Sequence, residues 1–191
     1  MKPGDGVLEI GTGIGFITLF CARIVGEQNV FTYEANPANE RHIRENFALN
    51  GMSPQLQIGL LSDEPGETEF FIEEDSWSSS TTKRSAKAKA IAVPHLPVAQ
   101  ELEKIRPNVV IMDIEGAEYE LLGCFDLRSI DKRIIELHPH IIGEGETQPI
   151  RDRIRAAGFE CAWSAEDRNH LCYMRPESQP THCSATAHRG G

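Results

Sequence analysis

Val7-Leu8-Glu9-Ile10-Gly11-Thr12-Gly13-Ile14-Gly15-Phe16-Ile17-Thr18 begins as a short apolar run, passes through three alternate glycines, and continues into a proline-free, apolar-rich segment reaching Val25. The run predicts a buried strand, the glycines a tight loop, and the longer segment a helix. Gly11 and Gly13 remove side chains where a ligand must approach the backbone, and the amides opening the helix offer donors to an anionic group. A nucleotide-like ligand suits such a turn.

The glycine spacing narrows the choice of ligand. A dinucleotide site requires Gly-x-Gly-x-x-Gly, whereas here the third glycine arrives one residue early at Gly15 and bulky Phe16 follows. Glu9, two places before Gly11, would repel a pyrophosphate and suits a cationic, amine-bearing ligand. A turn that merely joins strand to helix would need the same glycines, so these residues alone leave the ligand open.

The 191 residues suffice for one α/β domain with a real core and are too few for two. A formal net charge of -10 opposes phosphate backbones and anionic lipid, so neither nucleic acid nor membrane is an expected partner. No apolar run approaches a membrane span and the first six residues lack signal-peptide character, which predicts a soluble, cytoplasmic protein. Cys21, Cys124, Cys161, Cys172 and Cys183 are scattered with no Cys-x-x-Cys pair, and read as reduced structural thiols.

The first helix should end at Gly26, and Asn29 to Tyr33 predicts a second strand running into Glu34. Asn36-Pro37 then opens a helix carrying Ile43 and Phe47 on its apolar face, stopped by Asn50-Gly51. Glu34 thereby stands at a strand's carboxyl end, about 20 residues beyond the glycine loop, where a carboxylate usually meets ribose hydroxyls. Leu56 to Leu61 predicts a third parallel strand ending at Ser62-Asp63. Thr68–Ile72 and Ala88–Val93 predict an antiparallel pair outside the main sheet. The polar, locally basic stretch from Ser76 to Lys87 between them reads as a linker, with Trp77 raising the prospect of a lid.

A helix from Val98 to Ile105 closes before Pro107, and Val109-Val110-Ile111-Met112 predicts a central strand from which Asp113 and Glu115 emerge. Acids just past a buried strand require a partner or ligand to offset desolvation. Arg133 to Leu137 predicts a fifth strand with His138 at the same edge. Thr147 and Pro149 open a last helix, and Phe159–Trp163 with His170–Met174 completes an antiparallel pair. The expected domain covers residues 1–175; residues 176–191, without apolar period, read as a disordered tail.

Taken together, Leu8-Glu9-Ile10-Gly11-Thr12-Gly13-Ile14-Gly15, Glu34-Ala35-Asn36-Pro37, Met112-Asp113-Ile114-Glu115-Gly116-Ala117-Glu118 and Ile135-Glu136-Leu137-His138 resemble the FkbM-type methyltransferases, a class I S-adenosylmethionine-dependent family. The Asp-x-Glu-Gly-Ala-Glu segment is the most specific of the four. The resemblance implies a Rossmann-like, doubly wound seven-stranded sheet in the order 3-2-1-4-5-7-6, strand 7 antiparallel, with helices on both faces. It implies S-adenosyl-L-methionine as cofactor, held by Glu9, Gly11, Thr12, Gly13, Glu34, Ala35, Asn36, Ser62, Asp63 and Asp113. It also implies O-methylation of a hydroxylated small molecule such as a sugar or natural product. Only six residues precede the first strand, where class I enzymes commonly carry site-closing helices; a lid and a second subunit are the expected substitutes, a truncated form the other reading.

Methyl transfer to an alcohol requires alignment of oxygen, carbon and sulfur, and removal of the hydroxyl proton. Asp113, His138 and Glu115 are the expected catalytic residues, with Glu118 a further candidate, and transfer is expected to be metal-independent because no local spacing marks a metal site. Two other readings stand beside this one: an NAD(P)-dependent oxidoreductase, opposed by the glycine spacing, and a cofactor-binding pseudoenzyme without turnover.

Overall fold

The computed structural model describes residues 1–72, 85–114, 118–125, 127–166 and 169–176. Its spine is β1 (Val7–Ile10), every residue of which is buried, flanked in parallel by β2 (Val30–Glu34) and β7 (Val109–Met112). Outward from β2 lies β3 (Gln55–Ile58), and outward from β7 lies β8 (Lys132–Glu136), both parallel. Beyond β8 come β10 (His170–Met174) and β9 (Glu160–Ser164), each antiparallel to its neighbour. The order β3-β2-β1-β7-β8-β10-β9 is the expected 3-2-1-4-5-7-6 once the strands of a second, smaller sheet are set aside.

Alternation along β1 and β7 feeds two cores. Val7, Val109 and Ile111 pack with Cys21, Ala22 and Val25 of α1 (Phe16–Val25), while Ile43 and Phe47 of α2 (Glu40–Leu49) meet Leu19 and Leu56 on the same side. Leu8, Ile10, Val110 and Met112 point the other way. They join Val98 of α3 (Val98–Ile105), Leu121 and Leu122 of α4 (Glu118–Cys124), and Ile150 and Ile154 of α6 (Glu144–Ala156). Helices therefore cover both faces. No helix among the described residues is long and apolar enough to cross a membrane.

Several boundaries depart from the sequence reading. The expected third strand is two, β3 and β4 (Leu60–Ser62), because the chain breaks at Gly59, where a Cβ would lie 2.9 Å from Leu96. β4 leaves the main sheet and runs parallel to β6 (Lys89–Pro97), which pairs antiparallel with β5 (Gly66–Ile72). The outlying pair is thus a three-stranded sheet, and Ser62 is a strand residue in it. Asn36 caps a short 3-10 turn, Pro37–Asn39, through an N–H···O bond from Ala38, so α2 proper starts only at Glu40. A short helix absent from the sequence reading, α5 (Pro139–Ile142), follows His138; α6 then starts three residues before Thr147 and carries Pro149 inside it. Cys161 and Cys172 lie on paired strands as expected, but Cys161 stands opposite Tyr173 and both thiols are free. Residues 76–84 of the Ser76–Lys87 lid segment, Glu115, and residues 177–191 of the expected tail lie outside the described residues.

Candidate active site

Parallel strands β1, β2, β7 and β8 all end on one edge, and the order reverses between β1 and β7, the place where doubly wound sheets bind ligands. Gly11 sits at this reversal with φ 90°, and its Cβ position would lie 1.7 Å from the carbonyl oxygen of Asp113. The loops leaving the two strands touch there, so only glycine fits. Gly11 donates its N–H to Tyr33, and Asp113 donates its own to Ile10, locking the crossing.

Gly13 is different. At φ 58°, a Cβ there would meet nothing within 4 Å, so its open side faces unfilled space beside the loop. Its N–H donates to Glu34 Oε2 at 2.9 Å. Glu34 Oε1 accepts from the Asn36 N–H at 2.8 Å and from Asn39 Nδ2 at 3.3 Å. Burial raises the Glu34 pKa, opposed by these donors. Asn36 is buried, its Oδ1 spent on the Ala38 cap and its Nδ2 without a partner among the described residues. An open glycine, a carboxylate at the second strand's end and an orphaned amide donor beside it fit a ribose-bearing ligand laid across the loop.

Glu9 does not reach that surface. The alternation of β1 turns it under α1, where it is 2% exposed and accepts a hydrogen bond from the Thr18 hydroxyl. Burial pushes its carboxyl up to about 7. Glu9, expected to meet a ligand amine, here clasps β1 to α1 through Thr18, and the Thr12–Thr32 hydroxyl pair at 2.6 Å separately ties the glycine loop to β2. Thr12 is likewise buried, and Ala35 half-buried. The Ser62 hydroxyl is turned back onto the Glu64 carbonyl, and Asp63, exposed, approaches Cys124 at the end of α4. Among the described residues neither hydrogen-bonds to Gly13, Glu34 or Asn36.

On the other side of the reversal, Asp113, Glu136 and His138 converge. His138 Nε2 stands 3.7 Å from Asp113 Oδ1 and 3.7 Å from Glu136 Oε1. His138 Nδ1 lies 2.6 Å from Glu118 Oε1. Glu118 has no exposed surface, so it cannot meet an acceptor; it orients the imidazole instead. Glu136 Oε2 is 3.2 Å from His170 Nε2 on β10. The sequence reading assigned Glu136 and His170 no role. Glu136 stands two residues before His138, the spacing that puts both on one side of an extended chain, and this was the available signal.

Three comparisons bear on this geometry. A family model described as the methyltransferase FkbM domain matches residues 9–161. The hexuronic acid methyltransferase AglP of Haloferax volcanii is 30% identical over 143 residues, covering 72% of this chain and 57% of AglP. The tRNA (adenine(58)-N(1))-methyltransferase TrmI of Thermus thermophilus is 40% identical over 68 residues, covering 33% of this chain and 26% of TrmI. The chain thus spans less than two thirds of either relative. Among solved structures, Sp1610 of Streptococcus pneumoniae in complex with S-adenosyl-L-methionine superposes with a TM-score of 0.53 at 11% identity, covering 95% of this chain and 71% of that one. That likeness is one of fold.

Proposed function

The chain belongs to the FkbM methyltransferase family, and from that premise we propose that it is an S-adenosylmethionine-dependent methyltransferase acting on a hydroxyl oxygen of a sugar or other small natural product. The observation carrying this reading is the division of one sheet edge into two chemistries. Gly13, Glu34 and Asn36 form a cradle suited to a ribose on one side of the strand reversal, and Asp113, Glu136 and His138 form a polar, partly exposed group on the other.

When bound, S-adenosylmethionine supplies a methyl group on a sulfonium, which leaves by in-line displacement. Glu34 would accept the ribose hydroxyls while keeping the Gly13 amide in place. The amides from Gly13 onward would face the ligand's amino-acid end, at the start of α1. Asp113, whose side chain is 55% exposed, is positioned to take the acceptor's hydroxyl proton, and His138, held by Glu118, borders the same spot. The sugar preference is supported by the AglP match and by a net charge of -10, which disfavours phosphate-rich acceptors. TrmI, whose name records a tRNA substrate, keeps a nucleic-acid acceptor among the outcomes to test.

The experiment is incubation with isotopically labelled S-adenosylmethionine and a panel of sugars, hydroxylated metabolites and tRNA, with mass detection of a gained methyl group. Methyl gain on a hydroxylated small molecule supports the reading. Tight NAD binding with no binding of S-adenosylhomocysteine would overturn it in favour of an oxidoreductase. S-adenosylhomocysteine binding without turnover on any acceptor would point to a pseudoenzyme.

A further inference from the structure

We propose that Asp113 Oδ1, Glu136 Oε1 and His138 Nε2 form a binding site for one divalent cation of the manganese or magnesium kind. The three ligand atoms, from the ends of adjacent strands β7 and β8, all lie within 4.8 Å of one another. Separations of 3.7 Å from Nε2 to each carboxylate are too long for direct hydrogen bonds. An ion about 2.1 Å from each ligand sets neighbouring ligands roughly 3 Å apart and opposite ones roughly 4 Å apart. The group therefore needs to close by only a fraction of an ångström around an ion.

Two outer partners aim the ligands. Glu118 Oε1, 2.6 Å from Nδ1, places the imidazole proton on that nitrogen and turns the Nε2 lone pair toward the carboxylates. His170 Nε2, 3.2 Å from Glu136 Oε2, leaves Oε1 facing Nε2. Glu118 is itself wholly buried, with Oε2 lacking a hydrogen-bond partner among the described residues, an arrangement whose desolvation cost a cation on the far side of the imidazole would offset. Carboxylate, histidine and metal in series is a recurrent way of fixing a ligand. Two carboxylates and one imidazole suit manganese or magnesium better than soft metals. The Asp113 side chain is 55% exposed, so an ion held there would be within reach of solvent. The expectation of metal-free transfer rests on the lack of a local ligand spacing, whereas these three ligands come together from two strands.

Binding stands on this geometry alone, whereas its chemical use rests on the methyltransferase reading above. An acceptor hydroxyl coordinated to the ion ionises more easily. Its O–H bond breaks to the Asp113 carboxylate, the O–C bond to the methyl forms, and the C–S bond breaks with its electron pair returning to sulfur.

The test is titration of the metal-stripped full chain with manganese, followed by electron paramagnetic resonance, without cofactor or acceptor. The expected result is one bound ion per chain, with affinity falling at least about tenfold in Asp113→Asn and in Glu136→Gln, and unchanged in Asp152→Asn. Asp113 and Glu136 are partly exposed, so circular dichroism should show both variants folded. No bound manganese at millimolar concentration, or equal binding by parent and both variants, overturns the site. Because no methyl transfer enters this measurement, failure of the proposed activity leaves the site standing. Separately, undiminished transfer in excess chelator would overturn the ion's role in the reaction.

Discussion

His138 Nδ1 lies 2.6 Å from Glu118 Oε1, a contact between a histidine two residues past the end of β8 and a carboxylate opening a helix 20 residues earlier, with no surface of Glu118 exposed. A buried carboxylate so placed sets the direction of the imidazole without touching any ligand. Glu118→Gln, which keeps an accepting oxygen, should lower turnover by about tenfold, and Glu118→Ala by about a hundredfold. S-adenosylhomocysteine affinity by calorimetry should be the same in both. A parallel fall in that affinity would show that Glu118 supports the cofactor side.

Glu34→Ala should weaken S-adenosylhomocysteine binding by about 1.5–3 kcal/mol, the range for hydrogen bonds to a charged group. Glu34→Gln should lose less, because its carbonyl oxygen can still accept one of the bonds from Gly13 or Asn36. Wild-type affinity in both variants would place the ribose elsewhere.

Two glycines of the same loop should fail differently. Gly11→Ala puts a Cβ against the Asp113 carbonyl and should lower the melting temperature sharply. Gly13→Ala meets no atom, so its cost should be limited to about 1–2 kcal/mol for a left-handed backbone, while cofactor affinity falls. Thermal denaturation with a parallel binding titration separates the two effects. Gly13→Ala binding as tightly as the parent would remove that loop face from the ligand's path.

Stability should depend on pH through Glu9. Its folded pKa, pushed up to about 7 from the ordinary 4.5, exceeds the unfolded one, so the native state binds the extra proton between these values. The resulting stabilisation is complete below about pH 4.5 and lost as pH rises through 7, a change of about 3 kcal/mol. Glu9→Gln should flatten this part of the urea-denaturation profile and be more stable than the parent at pH 8. An unaltered slope would mean that another group governs it.

Arg133 is fully buried on β8 with, among the described residues, no hydrogen bond to any of its three nitrogens, its guanidinium 5.5 Å from the Phe125 and Phe159 ring centres. Burial, with Arg175 and Arg153 nearby, lowers its pKa to about 9. Ring contacts of about 1 kcal/mol each do not offset an unpaired buried charge. Arg133→Met should raise the urea midpoint, equivalent to about 1–3 kcal/mol. A lowered midpoint would show that the aromatic contacts dominate.

The strand-end positions of Glu34, Asp113 and His138 were legible because they follow from periodicity and turn residues a few positions apart, whereas the strand order came only with the family resemblance. The partners of those residues were not. Glu9 read as a ligand contact because its place before the glycines is conspicuous, yet what decides its role is Thr18, brought above it only when α1 packs on β1. Glu118 read as a candidate base from its acidic motif, and its burial depends on how α4 lies against the sheet. Ser62 read as the end of a parallel strand, but the break at Gly59 depends on Leu96, which arrives from a strand formed more than thirty residues later. Local pattern placed the backbone; pairing across distant elements decided which side chains reach the carboxyl edge of the sheet.

The small sheet leaves and rejoins the core at neighbouring points: Leu60 stands beside His95 and Ser62 beside Pro97, one strand spacing apart. Whatever length the chain takes between Asp63 and Pro94, the rest of the molecule sees the same gap to bridge. That makes this detour the place where insertions and deletions can accumulate over evolutionary time without disturbing the register of the seven-stranded sheet. For an engineer it is a socket: a foreign hairpin joined at these two points could change what approaches the carboxyl edge of the main sheet while leaving the seven strands as they are.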